Sequence, residues 1–162
     1  THDLGKGAFG DVYAAEWRGM NVAVKVCRSV DVHDKRRFLL EAEILKRYDH
    51  PNVVKLIGFC WSGTPLIVME LMIGGSLLKF LKKHWGNLSS KKLLHFVIDA
   101  CCGMKYLETK SCIHRDLAAR NCLVGDNDIV KISDFGMSHD DCEAYQIQGT
   151  KQIPIKWTAP EV

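Results

Sequence analysis

The glycine pair Gly74-Gly75 divides the chain into two unlike parts. Ahead of it the sequence reads mostly as strands. Asp11–Trp17 and Asn21–Cys27 are rich in Val, Tyr, Ala and Trp and are separated by the turn Arg18-Gly19-Met20. A helix is predicted over about Asp31 to Tyr48, where Phe38, Glu41, Ala42 and Leu45 recur at i, i+3, i+4 and i+7 and so share a face. His50-Pro51-Asn52 ends it, because proline disfavours helix in the residue before it. Two further strands are predicted, Val53–Cys60 and Pro65–Leu71. Behind the glycine pair the pattern turns helical. Ser89 or Ser90 caps a long helix with an apolar stripe at Leu93, Val97, Ala100, Cys101, Met104 and Leu107. From about Lys110 onward short strands alternate with loops dense in Asp, Asn, Gly and His. A strand-rich front joined at glycines to a helical back predicts an α+β fold of two lobes with a cleft between them.

Composition narrows the class. The 162 residues are 47% hydrophobic and 25% charged, an ordinary mix for one soluble globular domain. Lys and Arg exceed Asp and Glu by three, and the excess is scattered along the chain (Lys82-Lys83, Lys91-Lys92), so a nucleic-acid footprint is not expected. No apolar run approaches the ~20 residues that span a bilayer; Leu66–Ile73 is interrupted by Glu70. There is no signal-peptide pattern and no initial Met. Seven cysteines without a C-x-x-C pair read as reduced thiols of an intracellular core, Cys101 and Cys102 among them.

Chemistry is concentrated in a few short segments. Gly5-Lys6-Gly7-Ala8-Phe9-Gly10-Asp11-Val12 fits G-x-G-x-x-G-x-V. In a dinucleotide-binding unit a helix follows the third glycine, whereas Gly10 leads into an alternating, strand-like run. The G-K-[ST] of a Walker A loop is missing. A glycine-rich hairpin over a nucleotide remains, where β-carbons would hold the backbone away from phosphate oxygens; a plain turn fits this segment equally well. Lys25 lies in an apolar strand, and burying an unpaired ammonium is costly. Glu41, on the helix face with Phe38 and Leu45, is the partner that would aim it at phosphates; Glu43 is the rival by sequence but lies off that face.

His114-Arg115-Asp116-Leu117-Ala118-Ala119-Arg120-Asn121 places an aspartate and an asparagine five apart in a loop. Asp116 suits a base accepting a hydroxyl proton, and Asn121 suits a metal ligand through its amide oxygen. Asp134-Phe135-Gly136 follows the strand-like Ile129–Ser133 and offers a carboxylate for Mg²⁺, and Ala159-Pro160-Glu161 closes the series. Their order and spacing leave little room for coincidence.

With these segments in place, the chain resembles the protein kinase family over nearly every residue. Ala118-Ala119-Arg120-Asn121 and Lys151–Trp157 resemble its tyrosine-specific branch, since serine/threonine kinases usually carry lysine where Ala118 stands. The order Ala-Ala-Arg differs from the Arg-Ala-Ala of Src-type enzymes. Asp134–Ser138, Gly58-Phe59-Cys60 and Ile67–Leu71 look most like the Fes/Fer group of non-receptor kinases. The resemblance implies a two-lobed kinase fold: a β-rich lobe over 1–69, a hinge over 70–75 and the first part of a helical lobe over 76–162, incomplete in this chain. It implies ATP and Mg²⁺ as cofactors and tyrosine-bearing proteins as substrates. Asp116, Arg120, Lys25 and Glu41 would be catalytic, and Asn121 and Asp134 would hold the metal. Leu4, Gly5, Lys6, Gly7, Ala8, Phe9, Gly10, Val12, Ala23, Glu70, Met72 and Leu123 would line the nucleotide site, with Met69 as gatekeeper. Leu45, Leu56, His114 and Phe135 would form a stacked spine, and Tyr145 would be an autophosphorylation site facing Arg115. A cytoplasmic protein is implied, with recruitment to the inner face of the plasma membrane by modules outside this chain. The chain ends just after Ala-Pro-Glu, so apolar surface meant for further helices is expected to be exposed. The rival readings are a pseudokinase-like scaffold that binds without catalysis and a dinucleotide-binding enzyme.

Overall fold

A computed structural model describes residues 2–6, 10–140 and Trp157. Its first part is an antiparallel sheet of five strands: β1 (His2–Lys6), β2 (Gly10–Trp17), β3 (Met20–Cys27), β4 (Leu56–Cys60) and β5 (Leu66–Glu70), in the order β1-β2-β3-β5-β4. β2 starts at Gly10, so a strand and not a helix follows the third glycine, as the sequence predicts. A β-carbon at Gly10 would stand 2.3 Å from the Val26 carbonyl oxygen and 3.2 Å from Phe38. That glycine is therefore required by close packing on β3, a reason the sequence alone did not give.

Helix α1 (Val32–Leu45) packs on this sheet. Asp31 caps it by accepting the Asp34 N–H at 3.1 Å, and Tyr48, predicted inside the helix, lies in the turn after it. Phe38, Glu41, Ala42 and Leu45 are all buried, as their spacing predicts, while Glu43 is exposed. Of the predicted strand Val53–Cys60 only Leu56–Cys60 joins the five-stranded sheet. Residues 52–54 pair instead with β9 (Val130–Ile132): the Val54 N–H donates to the Ile132 carbonyl at 2.9 Å, and the Ile132 N–H to that of Asn52 at 2.9 Å.

The second part holds β6 (Gly75–Ser76), α2 (Leu77–Lys83), α3 (Ser90–Thr109), β7 (Cys112–Ile113), β8 (Cys122–Val124), a 3₁₀ turn at Asp126–Asp128, β9 and β10 (His139–Asp140). β6, β8 and β9 make a three-stranded sheet, and β7 pairs with β10. Ser76 caps α2 and Ser89 caps α3, each accepting the N–H three residues on. The core joins both parts: Leu45, Tyr48 and Val53 pack in one cluster with Phe96, Leu107, Val124, Ile132 and Phe135. This is an α+β architecture, a strand-rich first part packed on a helix-rich second part.

The predicted stripe of α3 needs correction. Phe96, Gly103 and Leu107 are buried, with Ala100 and Met104 against the core, whereas Leu93, Val97, Cys101 and Cys102 are exposed beside Leu94 and Ile98. The helix carries apolar side chains on nearly every side, so periodicity does not choose which side faces inward. Exposed apolar surface is thus present along α3, and Cys101 and Cys102 are not core thiols. Among the described residues Cys27, Cys60, Cys101, Cys102 and Cys122 are free thiols. Burial pushes the Cys122 thiol up to about 11, which disfavours its reactive thiolate. No helix among the described residues is long and apolar enough to cross a membrane.

Gly103 fixes how closely α3 approaches the 52–54 segment and β9. A β-carbon there would lie 2.5 Å from the Asn52 carbonyl oxygen and 2.9 Å from the Ile132 side chain. Gly103→Ala is expected to destabilise the fold by about 1–3 kcal/mol, despite the roughly 1 kcal/mol gained in helix propensity. Urea unfolding measures it, and an unchanged or raised midpoint would refute the close-packing argument.

Candidate active site

Strand register collects the first group of residues. Directly paired residues share a sheet face, as do residues two apart. Lys25 pairs with Val12, Ala23 pairs with Met69, and Lys25 and Ala23 are two apart, so Val12, Ala23, Lys25 and Met69 line one face of the sheet. Lys25 is 4% exposed and Glu41 2% exposed, and the ammonium donates to both carboxylate oxygens at 2.8 and 2.6 Å. Asp134 Oδ1 stands 3.7 Å from the same Nζ. Burial by itself would lower the Lys25 pKa, but the charges of Glu41 and Asp134 outweigh it and hold it raised.

The second group sits on the loops around β8. Asn121 Nδ2 donates to the Asp116 carbonyl and to Asp116 Oδ2, both at 2.7 Å, and Arg120 Nη2 donates to Asp116 Oδ1. The Arg120 guanidinium lies over the Trp157 ring, 4.5 Å from its centroid. The Asn121 carbonyl accepts from both the backbone N–H and the hydroxyl of Ser133, each at 2.8 Å. Ser133 precedes Asp134, so hydrogen bonds and one peptide link run from Asp116 through Asn121 to Asp134 and on to Lys25 and Glu41. Arg115 and Asp134 have φ of 64° and 62°. Such left-handed backbone at a non-glycine residue costs about 1–3 kcal/mol and clusters at functional sites.

His114 supports this loop from beneath. It is buried, with Nε2 3.0 Å from the Ser133 carbonyl, while Nδ1 accepts the Asp116 N–H at 3.3 Å. These partners require the neutral ring with its proton on Nε2. Its ring packs edge-on against Phe135 at 5.1 Å, and Phe135 packs against Tyr48 at 5.8 Å. Leu45 and Phe135 share one cluster with Leu56 against it, so the expected spine residues are brought together.

The remaining expected residues divide. Glu70 is tied by its side chain, which accepts the Lys55 N–H at 2.7 Å and grips Lys131 at 2.8 Å; this link between the two parts was not read from the sequence. Met72 is buried, its carbonyl accepting from the Gly75 N–H at 3.0 Å. Leu123 is half-buried on β8, opposite Ser76 and Lys131. Leu4 and Gly5 lie on β1, as does the backbone of Lys6. Gly7, Ala8, Phe9 and Tyr145 lie outside the described residues. Sequence reasoning passed over Tyr48, Ser133 and the Glu70–Lys131 pair, because each acts through contacts between distant segments.

Comparison with known proteins agrees with this geometry. The family model for protein tyrosine and serine/threonine kinases matches residues 1–162. The chain belongs to the protein kinase family. It is 56% identical over 162 residues to the human tyrosine-protein kinase Fer, covering 98% of this chain and 20% of that protein. It is 51% identical over 164 residues to the transforming protein Fps of Fujinami sarcoma virus, covering 98% and 19%. It is 46% identical over 167 residues to Drosophila melanogaster Abl, covering 99% and 10%. The chain thus spans about one-fifth of the length of its Fer and Fps relatives, and within the kinase family its likeness is to the Fes/Fer group.

Burial lowers the His114 pKa below its ordinary value, against the raising pull of the Ser133 carbonyl and of the Asp134 and Asp116 carboxylates. The unfolded chain therefore binds a proton near pH 6.5 that the folded chain resists. Stability contributed by neutral His114 is complete above pH 6.5 and drains away as pH falls from there toward the folded value. Its slope is at most about 1.4 kcal/mol per pH unit. Urea midpoints from pH 7.5 to 5 should fall less steeply in His114→Asn than in the parent; equal slopes would remove His114 as the cause.

Proposed function

We propose that the chain is the ATP-binding and catalytic part of a non-receptor protein tyrosine kinase, moving the γ-phosphoryl group of ATP to a tyrosine hydroxyl of a protein. The observation that carries this is the linked set Asp116–Asn121–Ser133/Asp134–Lys25–Glu41. Its donor types suit the cofactors: the Asn121 amide oxygen and the Asp134 carboxylate are hard oxygen ligands of the kind Mg²⁺ takes, and Lys25 is a cation held for phosphate. When bound, Mg·ATP supplies the transferable group and the neutralisation of its charge.

The chain's own residues do the rest by positioning. Glu41 orients Lys25, which grips phosphate oxygens. Asp116, held by Asn121 and Arg120, accepts the hydroxyl proton. Arg120 takes the place beside the phosphate that a lysine fills in serine/threonine enzymes. Leu4 to Gly10, with Val12, Ala23, Glu70, Met72 and Leu123, form the nucleotide cradle between a lobe at 1–69 and one beginning at 76, joined by a hinge at 70–75. Phosphate on Tyr145 would add about −1.5 to −2 of charge to that stretch of the chain. The working site is cytoplasmic, with recruitment to the inner face of the plasma membrane by modules outside this chain.

Asp116→Asn should slow phosphorylation of a tyrosine peptide by about 10²- to 10⁴-fold, while thermal stabilisation by Mg·ATP persists. Full activity in that variant removes Asp116 from the role, and stabilisation by NAD instead of Mg·ATP overturns the kinase reading. Peptide mapping of the active protein after incubation with Mg·ATP should find phosphate on Tyr145; its absence would count against that site.

A further inference from the structure

Residues 71–98 carry five lysines and no Asp or Glu. The rest of the chain is therefore net acidic, and the positive charge belongs to this one stretch. Lys82-Lys83 and Lys91-Lys92 look scattered in the sequence, but folding places them at adjoining helix ends. α2 ends at Lys83 and α3 begins at Ser90. Between them the Asn87 N–H donates to the His84 carbonyl at 3.0 Å, and Phe80 packs edge-on against Phe96 at 5.8 Å. Lys92 is committed to Asp128 at 2.7 Å. Lys82, Lys83 and Lys91 are exposed and have no carboxylate partner among the described residues.

At the apex of this corner stands Trp85, 85% exposed. Leu78 and Leu94 are also exposed, one turn from Lys82 and Lys91 on the same helix faces. A protruding indole amid lysines and flanking leucines is the composition that settles at a membrane–water interface. The ring enters the headgroup region, and the ammonium groups meet anionic lipid. An acidic peptide would use the lysines but leave the projecting indole without a role.

We propose that the α2–α3 corner is an interaction surface for an anionic phospholipid bilayer, with Lys82, Lys83 and Lys91 reading the surface charge and Trp85 inserting. This surface is separate from the catalytic reading and stands whether or not the chain transfers phosphate.

The test uses sedimentation with vesicles of phosphatidylcholine alone or mixed with phosphatidylserine. Binding is expected only with phosphatidylserine, and it should weaken as salt is raised from about 0.1 to 0.5 M. Lys82→Glu with Lys83→Glu should reduce partitioning on the order of thirtyfold or more. All these positions are exposed, so an unchanged urea midpoint verifies that each variant is folded. Brominated acyl chains should quench the parent's fluorescence, and most of that quenching should vanish in Trp85→Phe. Equal binding to neutral vesicles, an unaffected double variant, or quenching retained in Trp85→Phe overturns the proposal. So does binding of polyglutamate through the same lysines without vesicle binding, which would mark an acidic-peptide surface instead.

Discussion

A desolvated ion pair between Lys25 and Glu41 governs how the sheet, α1 and the loop at Asp134 sit together. Both groups are almost wholly removed from water, so neither tolerates loss of the other; breaking such a pair costs about 3–5 kcal/mol because a bare charge stays behind. The pair fixes α1 at one position along β3. Leu45 on the same helix and Tyr48 just beyond it then meet Phe135, whose neighbour Asp134 stands beside the Lys25 ammonium. One charge thus sets a helix, and the helix sets a loop.

The loop is held from its other side by a neutral imidazole. His114 works because its two nitrogens have opposite jobs, one donating toward the Ser133 carbonyl and one accepting from the Asp116 backbone. A protonated ring would turn Nδ1 into a donor facing a donor. Burial against Phe135 opposes that charge. The strained backbone at Arg115 and Asp134 is retained between these supports, since hydrogen bonds and packing on both flanks over-determine it.

Local patterns in the sequence were sufficient for β2, β3, β5, α1 and the choice of Glu41 over Glu43, but not for β1 or for the division of Val53–Cys60 between two partners. Where they sufficed, one periodicity pointed to one buried face. They were insufficient for α3, where apolar residues surround the helix and the burial of Phe96 and Gly103 depends on what it packs against. The motif residues Lys25, Asp116, Asn121 and Asp134 were legible because phosphate and metal chemistry restricts residue types and spacing. Their supports were not. Ser133 acts through a carbonyl twelve residues away, and Glu70 pairs with Lys131 across 61 positions. No residue-type rule marks a serine or a surface-type ion pair as a brace. Gly10 shows a related limit: its presence fits a phosphate-loop pattern, while its packing against Val26 and Phe38 is a second demand for glycine that the pattern does not reveal.

The same energetics bear on why this charge cluster is kept in the interior. Buried ion pairs can often be replaced by well-packed apolar residues at no loss of stability, or with a gain. A platform that met neither phosphate nor metal would have no use for Lys25 and Glu41 in its core, nor for Asp134 near them. Stability alone therefore does not account for this cluster. A cation gripped by one buried carboxylate, with a second that remains 27% exposed beside it, does have a use where phosphate and a metal ion must meet. The cost of keeping charge in the interior is thus itself an argument for a site that meets phosphate and metal over a purely structural core.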